Sequence, residues 1–416
     1  MSNATGPDRT SRTEPVVNPL LLKHFTATSC AGRGLDATLA ALAAGRSGLA
    51  PCDFEGAALE TWTGRVAGVE DAPVRADLAA FDCRNNRLAQ LAVMQDGFEA
   101  RVREAIARVG AERVGVFMGT STAGILETEL AYQRRDAATG ALPADFNYAN
   151  THNPYSLAAF VRAYFGLLGP AVSVSSACSS GAKVFGSARR MLETGVIDAA
   201  VVGGVDTLCL TTLYGFNSLE LLAPGPCRPF DVKRDGISIG EAAAFALLER
   251  DSADADDDAI RLLGIGESSD AYHMSSPHPE GLGARIAMEQ ALASAGLDAR
   301  DIGYVNLHGT ATPSNDAAES RALTSLFERV PCSSTKGATG HTLGAAGALE
   351  AVIAALALRH QMIPAGTNTR EPDPALGLDY VTATRGAPLR AVLSNSFGFG
   401  GTNCSLVFGR NGAASA

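Results

Sequence analysis

The sequence predicts a layered α/β protein that is built from two related halves. Short apolar runs alternate with segments of helical periodicity along most of the 416 residues, which is typical of strands joined by helices in a largely parallel sheet. In addition, a strand–turn–helix pattern occurs once in each half of the chain. The 44 glycines and the low aromatic content of 6% fit the tight turns of such a fold.

The individual elements follow from these runs. Seven apolar runs predict buried strands: Val114–Met118, Ala171–Ser175, Ala199–Gly203, Ala242–Leu248, Tyr304–Leu307, Ala391–Ser394 and Ser405–Phe408. Six segments predict helices: Thr38–Ala44, Glu99–Val109, Ala182–Thr194, Ala284–Ala295, Ala317–Phe327 and Gly347–Arg359. Because most strands lead into glycine-rich turns and then helices, we expect mainly parallel pairing.

The repeated pattern indicates a duplicated unit. In the first half, the strand from Ala171 runs into a turn at Cys178 and then a long helix, and the strand VVGGVD follows. In the second half, the segment around Lys336 leads to a helix from about Gly344, and a later strand leads into SNSFGFGG. No short fixed period is present, so we predict two related domains and not a solenoid.

An acidic run, DSADADDD, separates the two halves. We interpret it as a solvated surface turn, because the glycine and glutamate of a calcium-binding EF-hand loop are missing. The predicted organisation is a disordered tail at 1–14, a first half at 15–250, a linker at 251–259 and a second half at 260–410.

Charge and cysteine content disfavour several classes of protein. The 34 basic and 44 acidic residues give a net charge of −10, which argues against nucleic-acid binding. The eight cysteines form no C-x-x-C pair, which argues against a zinc ribbon or disulfide framework and fits a cytoplasmic protein. The polar N-terminus lacks a signal-peptide core, and we expect no apolar run of 18 residues that would span a membrane.

Cys178 is the first candidate functional residue. It lies in VSVSSACSSGAK, where a strand runs through small residues into a helix. A thiol at a helix N-terminus faces free backbone N–H groups, and the helix dipole favours the thiolate. A buried structural cysteine explains the local sequence equally well.

Three further segments carry polar residues in loops. His308 lies in NLHGTATPSNDAAES just after an apolar strand; a lone loop histidine is usually structural, but its polar neighbours are more typical of a functional site. Lys336 and His341 lie in a glycine-broken turn that opens a helix, where a surface lysine and a helix-capping histidine remain the alternative. The glycines of NSFGFGGTN would let backbone amides point at a ligand, although a tight turn with two core aromatics explains them too. This last segment does not match the dinucleotide fingerprint G-x-G-x-x-G.

Together these four segments resemble the β-ketoacyl-acyl-carrier-protein synthases, or ketosynthases, of the elongating type with a Cys-His-His active site. GPCRPFDVKRDGISIGEAAAFALLE and SSDAYHMSSP support the resemblance, which runs from about Asn18 to Phe408. It implies the thiolase fold, a duplicated αβαβα five-layer architecture in which two sheets are stacked between layers of helices. It also implies a dimer.

The resemblance implies a role for each candidate residue. Cys178 would be the nucleophile that carries an acyl chain, and its amide and that of Phe399 would form the oxyanion hole. His308 and His341 would promote decarboxylation of a malonyl thioester, and Lys336 would order the site electrostatically. Phe399 would also gate entry of the second substrate.

Other residues are assigned supporting roles by the same resemblance. Glu319 would pair with Lys336, Asp316 would support the same loop, and Thr310 and Thr312 would bind pantetheine. Thr122 and Phe216 are candidates for the acyl pocket. No cofactor or metal is expected, because the substrates arrive on the 4′-phosphopantetheine of the carrier protein, and His273 and His278 have no carboxylate or cysteine cluster beside them.

The expected partners are an acidic acyl carrier protein and a second ketosynthase-like chain, as a homodimer or as a heterodimer with a chain-length factor. Arg84 with Arg87, or Arg134 with Arg135, are candidates for carrier docking, although simple surface solvation explains them equally well.

The chain departs from the family pattern in three places. It lacks the apolar run followed by T-G-x-G at the start, Thr122 stands near where a bulkier Ile or a Gly occurs, and Ala242–Ala244 replaces a glycine-rich run. These departures indicate a specialised polyene or polyketide pathway.

Two alternatives to a catalytic ketosynthase are considered. One is a non-catalytic chain-length-factor-like subunit, which typically lacks the nucleophile, and the other is a thiolase, whose second catalytic cysteine is not matched. The TKGATGH segment argues against an initiating Cys-His-Asn synthase.

Overall fold

The computed structural model describes residues 18–252, 255–256 and 258–410. The strands are β1 (Leu20–Ser29), β2 (Gly32–Arg33), β3 (Ala50–Pro51), β4 (Trp62–Gly64), β5 (Val114–Gly119), β6 (Ala171–Val174), β7 (Ala199–Asp206), β8 (Ile239–Gly240), β9 (Ala242–Arg250), β10 (Arg261–Ser269), β11 (Ile302–Asn306), β12 (Pro331–Ser333), β13 (Met362–Ile363), β14 (Asp379–Tyr380), β15 (Arg385–Gly386), β16 (Ala391–Gly398) and β17 (Thr402–Gly409).

The α-helices are α1 (Gly34–Ala43), α2 (Arg84–Val93), α3 (Phe98–Val109), α4 (Ile125–Gln133), α5 (Tyr155–Phe165), α6 (Ser180–Glu193), α7 (Leu210–Ser218), α8 (Leu282–Ala295), α9 (Pro313–Leu326), α10 (Lys336–Thr339) and α11 (Ala346–His360). All predicted strands and helices are present, with each end within four residues of its predicted position. The predicted tail at 1–14 lies outside the described residues.

The strand order confirms the predicted duplication. The first half forms a sheet in the order β6-β5-β7-β9-β1, and the second half forms one in the order β12-β11-β16-β17-β10. Counted within each half, both orders read 3-2-4-5-1. In both sheets the first three strands are mutually parallel, and the last two are antiparallel to their neighbours.

The expectation of mainly parallel pairing is therefore right for only half of the strand pairs within these two sheets. A parallel pair needs a long crossover connection. Between β16 and β17 the chain has only the turn Phe399–Gly401, which forces an antiparallel hairpin. The opening segment without the T-G-x-G motif still folds as a long strand, β1, which pairs with β9 along most of its length.

Five layers result from the packing of these elements. Helices α2, α3 and α5 cover the outer face of the first sheet, and α8 and α9 cover the outer face of the second. Helices α6 and α11 lie between the two sheets and contribute to one shared apolar core. The sheets also touch edge to edge, where β1 pairs with β10 at Leu20–Leu262 and Leu21–Arg261.

The central helices approach each other closely because glycines line their contact. A Cβ atom on Gly181 of α6 would lie 2.7 Å from the carbonyl oxygen of Gly344, and one on Gly347 of α11 would lie 2.5 Å from the amide of Ala182. Neither distance is sterically possible for a side chain. The N-termini of α6 and α11 therefore meet backbone to backbone in the middle of the molecule.

The segment Leu343–His360, which contains α11, is apolar and long enough to cross a membrane, and it is the one such helix in the described part of the chain. It contains Glu350, Arg359 and His360, so it is not an uninterrupted apolar run of that length. Since 89% of it is buried inside the fold, we interpret it as a core helix.

Candidate active site

Three remote segments bring Cys178, His308 and His341 together at one cavity. The Cys178 sulfur lies 3.1 Å from Nε2 of His341. The two imidazole rings are 5.3 Å apart, centroid to centroid, and nearly perpendicular at 83°. All three side chains are buried, so they can act only on a group that enters the cavity.

A strained turn presents the cysteine. Strand β6 ends at Val174, and Ala177 has a positive φ of 51°, which is unfavourable for a residue with a Cβ atom. The side chain of Ser180 stabilises this turn, because it accepts from the Ser176 amide at 2.8 Å and donates to the Ala177 carbonyl at 2.6 Å. Cys178 is thereby held immediately before α6 and faces the cavity.

The expected thiolate is not the resting form of this cysteine. Burial raises the pKa of Cys178 to about 11, although Lys336 and a hydrogen bond from the Phe399 amide oppose the rise. The N-terminus of a helix therefore does not outweigh desolvation here. The thiol must lose its proton during the reaction, and Nε2 of His341 is within hydrogen-bonding distance of it.

Lys336 fixes the tautomer of His308. Its Nζ lies 3.4 Å from Nδ1 of His308 and also donates to the His308 carbonyl oxygen. Because an ammonium group has only donor hydrogens, Nδ1 must accept, and the neutral ring then carries its proton on Nε2. Burial, with Lys336 as a further cause, lowers the pKa of both histidines well below its usual value, so both rings are neutral near pH 7.

The prediction that Glu319 pairs with Lys336 is wrong. Lys336 pairs with Glu350 of α11, and both side chains are almost completely buried. Glu319 instead accepts from the amides of His308 and Gly309, both at 2.8 Å, and from the side chain of Asn395 at 3.1 Å. Its carboxylate holds the backbone of the histidine, and burial raises its pKa to about 7.

Asp316 supports the next part of the same loop, as expected. It accepts from the amides of Thr310 at 3.1 Å, Ala311 at 3.2 Å and Phe230 at 2.8 Å. Burial raises its pKa to about 6. The loop needs this support because Ala311 has a positive φ of 69°.

Thr310 and Thr312 line the cavity on its polar side, and their hydroxyl oxygens are 2.9 Å apart. Phe216 lines the same cavity, and its ring centroid lies 5.8 Å from that of Phe399. The amide of Phe399 hydrogen-bonds to the Cys178 sulfur. The cavity therefore has a polar side, an aromatic side and a backbone donor aimed at the sulfur.

Thr122 does not line this cavity, contrary to its assignment to the acyl pocket. It is buried, and its amide and hydroxyl both donate to Asp206, at 2.9 and 2.8 Å. A side chain whose polar groups are satisfied by a buried carboxylate supports the fold and is unavailable to an acyl chain.

Arg84 is also misassigned as a docking residue. Its guanidinium is buried and forms a bidentate pair with Glu241, with distances of 3.0 and 2.6 Å, and it also contacts Glu70 at 2.6 Å. Arg87 is half-buried and paired with Asp82. The two arginines follow each other by one helical turn, and the sequence alone gives no sign that this face of α2 is covered.

Arg134 and Arg135 are exposed at the C-terminus of α4, and Arg134 makes an ion pair with Asp145 at 3.1 Å. Their exposure is compatible with carrier docking, which stays a prediction for this pair.

We expect Arg84→Ala to lower the free energy of unfolding by about 3–5 kcal/mol, because Glu241 would remain as an unpaired buried charge. Arg87→Ala, whose ion pair is partly solvated, is expected to change it by about 1 kcal/mol or less. Urea unfolding of both variants measures the difference. Equal destabilisation by the two substitutions would contradict the structural assignment of Arg84.

Cys178, His308 and His341 also form the one cluster of metal-ligating types in the described residues, with ligand atoms within 4.8 Å of one another. Lys336 Nζ lies 3.4 Å from Nδ1 of His308. A metal ion would therefore bind beside an existing cation, which is electrostatically unfavourable. The expectation of no metal stays a prediction.

Sequence reasoning missed two buried acids beside the site. Glu350 is the one acid in the apolar helix GALEAVIAALAL, and a lone charge in such a helix signals a buried ion pair. Asp206 ends the buried strand VVGGVD. In both cases the signal was a charged residue within or at the end of an apolar run.

The repeated five-stranded sheets, with Cys178 and His341 in the turns that precede the two central helices, define a protein of the thiolase-fold class. The sequence model for "Beta-ketoacyl synthase, N-terminal domain" matches residues 25–254, and that for the C-terminal domain matches residues 260–370. The chain belongs to the β-ketoacyl synthase family.

Individual relatives agree with this family. The chain is 40% identical over 262 residues to the 3-oxoacyl-[acyl-carrier-protein] synthase 2 of Vibrio cholerae, covering 59% of this chain and 63% of that protein. It is 37% identical over 305 residues to nodulation protein E of Rhizobium meliloti, covering 71% of this chain and 75% of that protein. The match thus spans less than two thirds of the Vibrio protein.

Solved structures confirm the fold over nearly the whole chain. A ketosynthase (ApeO) in complex with its chain length factor (ApeC), from Xenorhabdus doucetiae, matches with a TM-score of 0.85 and 40% identity, covering 94% of this chain and 98% of that chain. A β-ketoacyl synthase from Burkholderia phymatum matches with a TM-score of 0.84 and 31% identity, covering 95% of this chain and all of that one. The predicted thiolase fold is confirmed.

Proposed function

We propose that the protein is a β-ketoacyl-acyl-carrier-protein synthase, which condenses malonyl-carrier protein with an acyl chain held on Cys178. The observation that carries this proposal is the juxtaposition of a buried thiol, two neutral histidines and a backbone donor in one cavity. A pantetheine thioester can reach such a buried site on its flexible arm. The protein would therefore need no cofactor of its own.

The first half-reaction transfers the acyl chain. The Cys178 sulfur attacks the thioester carbonyl as its proton leaves, and His341 is the nearest base. The Phe399 amide then stabilises the negative oxygen of the tetrahedral intermediate. Collapse of that intermediate, with the proton passing from His341 to the leaving sulfur, releases the pantetheine thiol and leaves the acyl thioester on Cys178.

The second half-reaction uses the histidines as hydrogen-bond donors, for which His341 must take the tautomer with its hydrogen on Nε2. The Nε2 hydrogen of His308 and the imidazole of His341 lie where a malonyl thioester carbonyl would enter. Loss of CO₂ places negative charge on that carbonyl oxygen, and neutral N–H donors stabilise the resulting enolate. The enolate carbon attacks the acyl group on Cys178 and restores the thiolate, which takes up a proton.

The acyl carrier protein and a second ketosynthase-like chain are the proposed partners. Strand β6 is an edge strand that pairs only with β5 among the described residues, and all four of its residues are partly exposed. A second chain could extend the sheet at this edge. A homodimer and a heterodimer with a chain-length factor both fit, and the Xenorhabdus structure is described as a ketosynthase with such a factor.

A non-catalytic chain-length-factor role is the rival proposal. The complete set of Cys178, His308, Lys336 and His341 in one cavity or beside it supports catalysis.

The eight free cysteines favour a cytoplasmic location. Thr122 and Ala242–Ala244, where the chain departs from the family pattern, are buried and do not line the cavity. These departures therefore do not distinguish fatty acid, polyene and polyketide pathways.

Intact-protein mass spectrometry after incubation with a panel of acyl-carrier proteins tests the proposal. We expect one acyl adduct on Cys178, because the other seven thiols do not line the cavity, and no adduct on Cys178→Ala. Native mass spectrometry of the preparation that forms the adduct shows whether the active protein contains one kind of chain or two. If no acyl carrier gives an adduct, with or without a chain-length factor, the proposed mechanism is wrong.

A further inference from the structure

We infer that Asp206 is a positioning residue that joins the Cys178 turn to the His341 turn and thereby sets the contact between the reacting sulfur and its histidine. Asp206 is the last residue of β7 and is fully buried. It does not line the cavity, and no hydrogen bond joins it to Cys178. The inference deepens the proposed function, on which its catalytic meaning rests.

The Asp206 carboxylate binds two separate segments. From the turn after β5 it accepts the Thr120 hydroxyl at 2.6 Å, the Ser121 amide at 2.9 Å and the Thr122 amide at 2.9 Å. On its other side it accepts the Gly344 amide at 2.6 Å. A carboxylate is the group that can accept this many donors at once.

Each of these segments leads directly to one reacting side chain. The Ser121 hydroxyl donates to the carbonyl of Ala177 at 3.1 Å, one residue before Cys178. Gly344 lies three residues after His341, whose own backbone is held by Ser238 and Gly240 at 2.7 and 3.0 Å. The chain of contacts therefore runs from the cysteine turn through Ser121 and Asp206 to the histidine turn.

Glycines make the junction compact enough for one carboxylate to span it. A Cβ atom on Gly119 would lie 2.6 Å from the Gly181 amide, and one on Gly344 would lie 2.6 Å from the Ser121 hydroxyl oxygen. One on Gly204 would lie 3.0 Å from Cα of Ala345. With backbones this close, a shift of one segment is transmitted to the other.

A double-mutant cycle on thiol alkylation tests the inference without any carrier protein. The rate of Cys178 alkylation by iodoacetamide is measured by peptide mass spectrometry for the wild type, Asp206→Asn, His341→Ala and the double variant. We expect each single substitution to slow alkylation by about five- to tenfold, the size expected for one hydrogen bond to the sulfur. We expect the double variant to be no slower than either single variant, because both remove the same contact.

The direction of the change in alkylation rate distinguishes a positioning role of Asp206 from the effect of its charge on Cys178. The negative charge of Asp206 raises the pKa of Cys178, so removal of that charge alone would speed alkylation. Asp231→Asn is the matched control, because Asp231 is also buried and accepts backbone amides at 2.8–3.0 Å but lies outside the cavity lining. Its alkylation rate is expected to equal that of the wild type.

The inference is overturned if folded Asp206→Asn alkylates at the wild-type rate or faster, or if the two effects multiply in the double variant. Thr120→Val removes one donor to the carboxylate and keeps the shape of the side chain, and a smaller slowing is expected. If Asp206→Asn does not fold, a wild-type rate in Thr120→Val overturns the inference. Failure of the proposed function would appear separately, as a missing acyl adduct on the wild type.

Discussion

A His308→Ala variant is expected to keep its acyl adduct on Cys178 but to lose decarboxylation of the malonyl thioester by about 10²–10³-fold. The reason is geometric. His341 is the histidine that contacts the Cys178 sulfur, at 3.1 Å. His308 accepts from Lys336 at Nδ1, so its hydrogen is on Nε2 and is available to the second substrate. Release of CO₂ from labelled malonyl-carrier protein measures the loss, and mass spectrometry of the adduct measures what is kept.

His308→Gln is the matched variant, because its amide N–H₂ can still donate from a similar position. We expect it to recover part of the decarboxylation rate, whereas an imidazole acting as a base would not be replaced by an amide. Equal loss of acylation and decarboxylation in His308→Ala would contradict the division of work between the two histidines. His341→Ala is expected to impair both half-reactions.

The sequence predicted the fold well because its signals are local. Buried strands such as β5 and β7 are continuous apolar runs, and α11 is a longer, almost entirely apolar segment, which its length identifies as a buried helix. Pairing direction was harder to predict because it depends on connections. The apolar run of β17 is the same in a parallel or an antiparallel strand. Its direction follows only from the three-residue turn that precedes it.

The candidate site was predicted where residue type and local turn agree, and it was misjudged where burial decides. His308, Lys336 and His341 stand in glycine-rich loops, and the structure brings them to the cavity or beside it. The arginine at 84 looked like a surface charge because its partner, Glu241, is 157 residues away. The thiolate prediction failed for the same reason, since desolvation of Cys178 comes from the whole surrounding fold.

Lys336→Met is expected to lower the free energy of unfolding by about 3–5 kcal/mol, because it strands Glu350 as an unpaired buried carboxylate. Burial already raises the pKa of Glu350 to about 7, and Lys336 opposes that rise. Without Lys336 the pKa rises further, so the folded state binds one proton more than the unfolded state above the ordinary value of 4.5. Stability should therefore fall by about 1.4 kcal/mol per pH unit as the pH increases from there towards the raised pKa.

The double variant Lys336→Met/Glu350→Leu separates the structural role of the ion pair from its role in the site. Replacement of a buried ion pair by apolar side chains of similar volume is often neutral or stabilising, so urea unfolding should show recovery of most of the lost stability and no pH slope from this pair. Decarboxylation should not recover, because Nδ1 of His308 still lacks the donor that fixes its tautomer. A double variant that regains both stability and decarboxylation would reduce Lys336 to a structural residue, and the hydrogen on Nε2 of His308 would then need another cause.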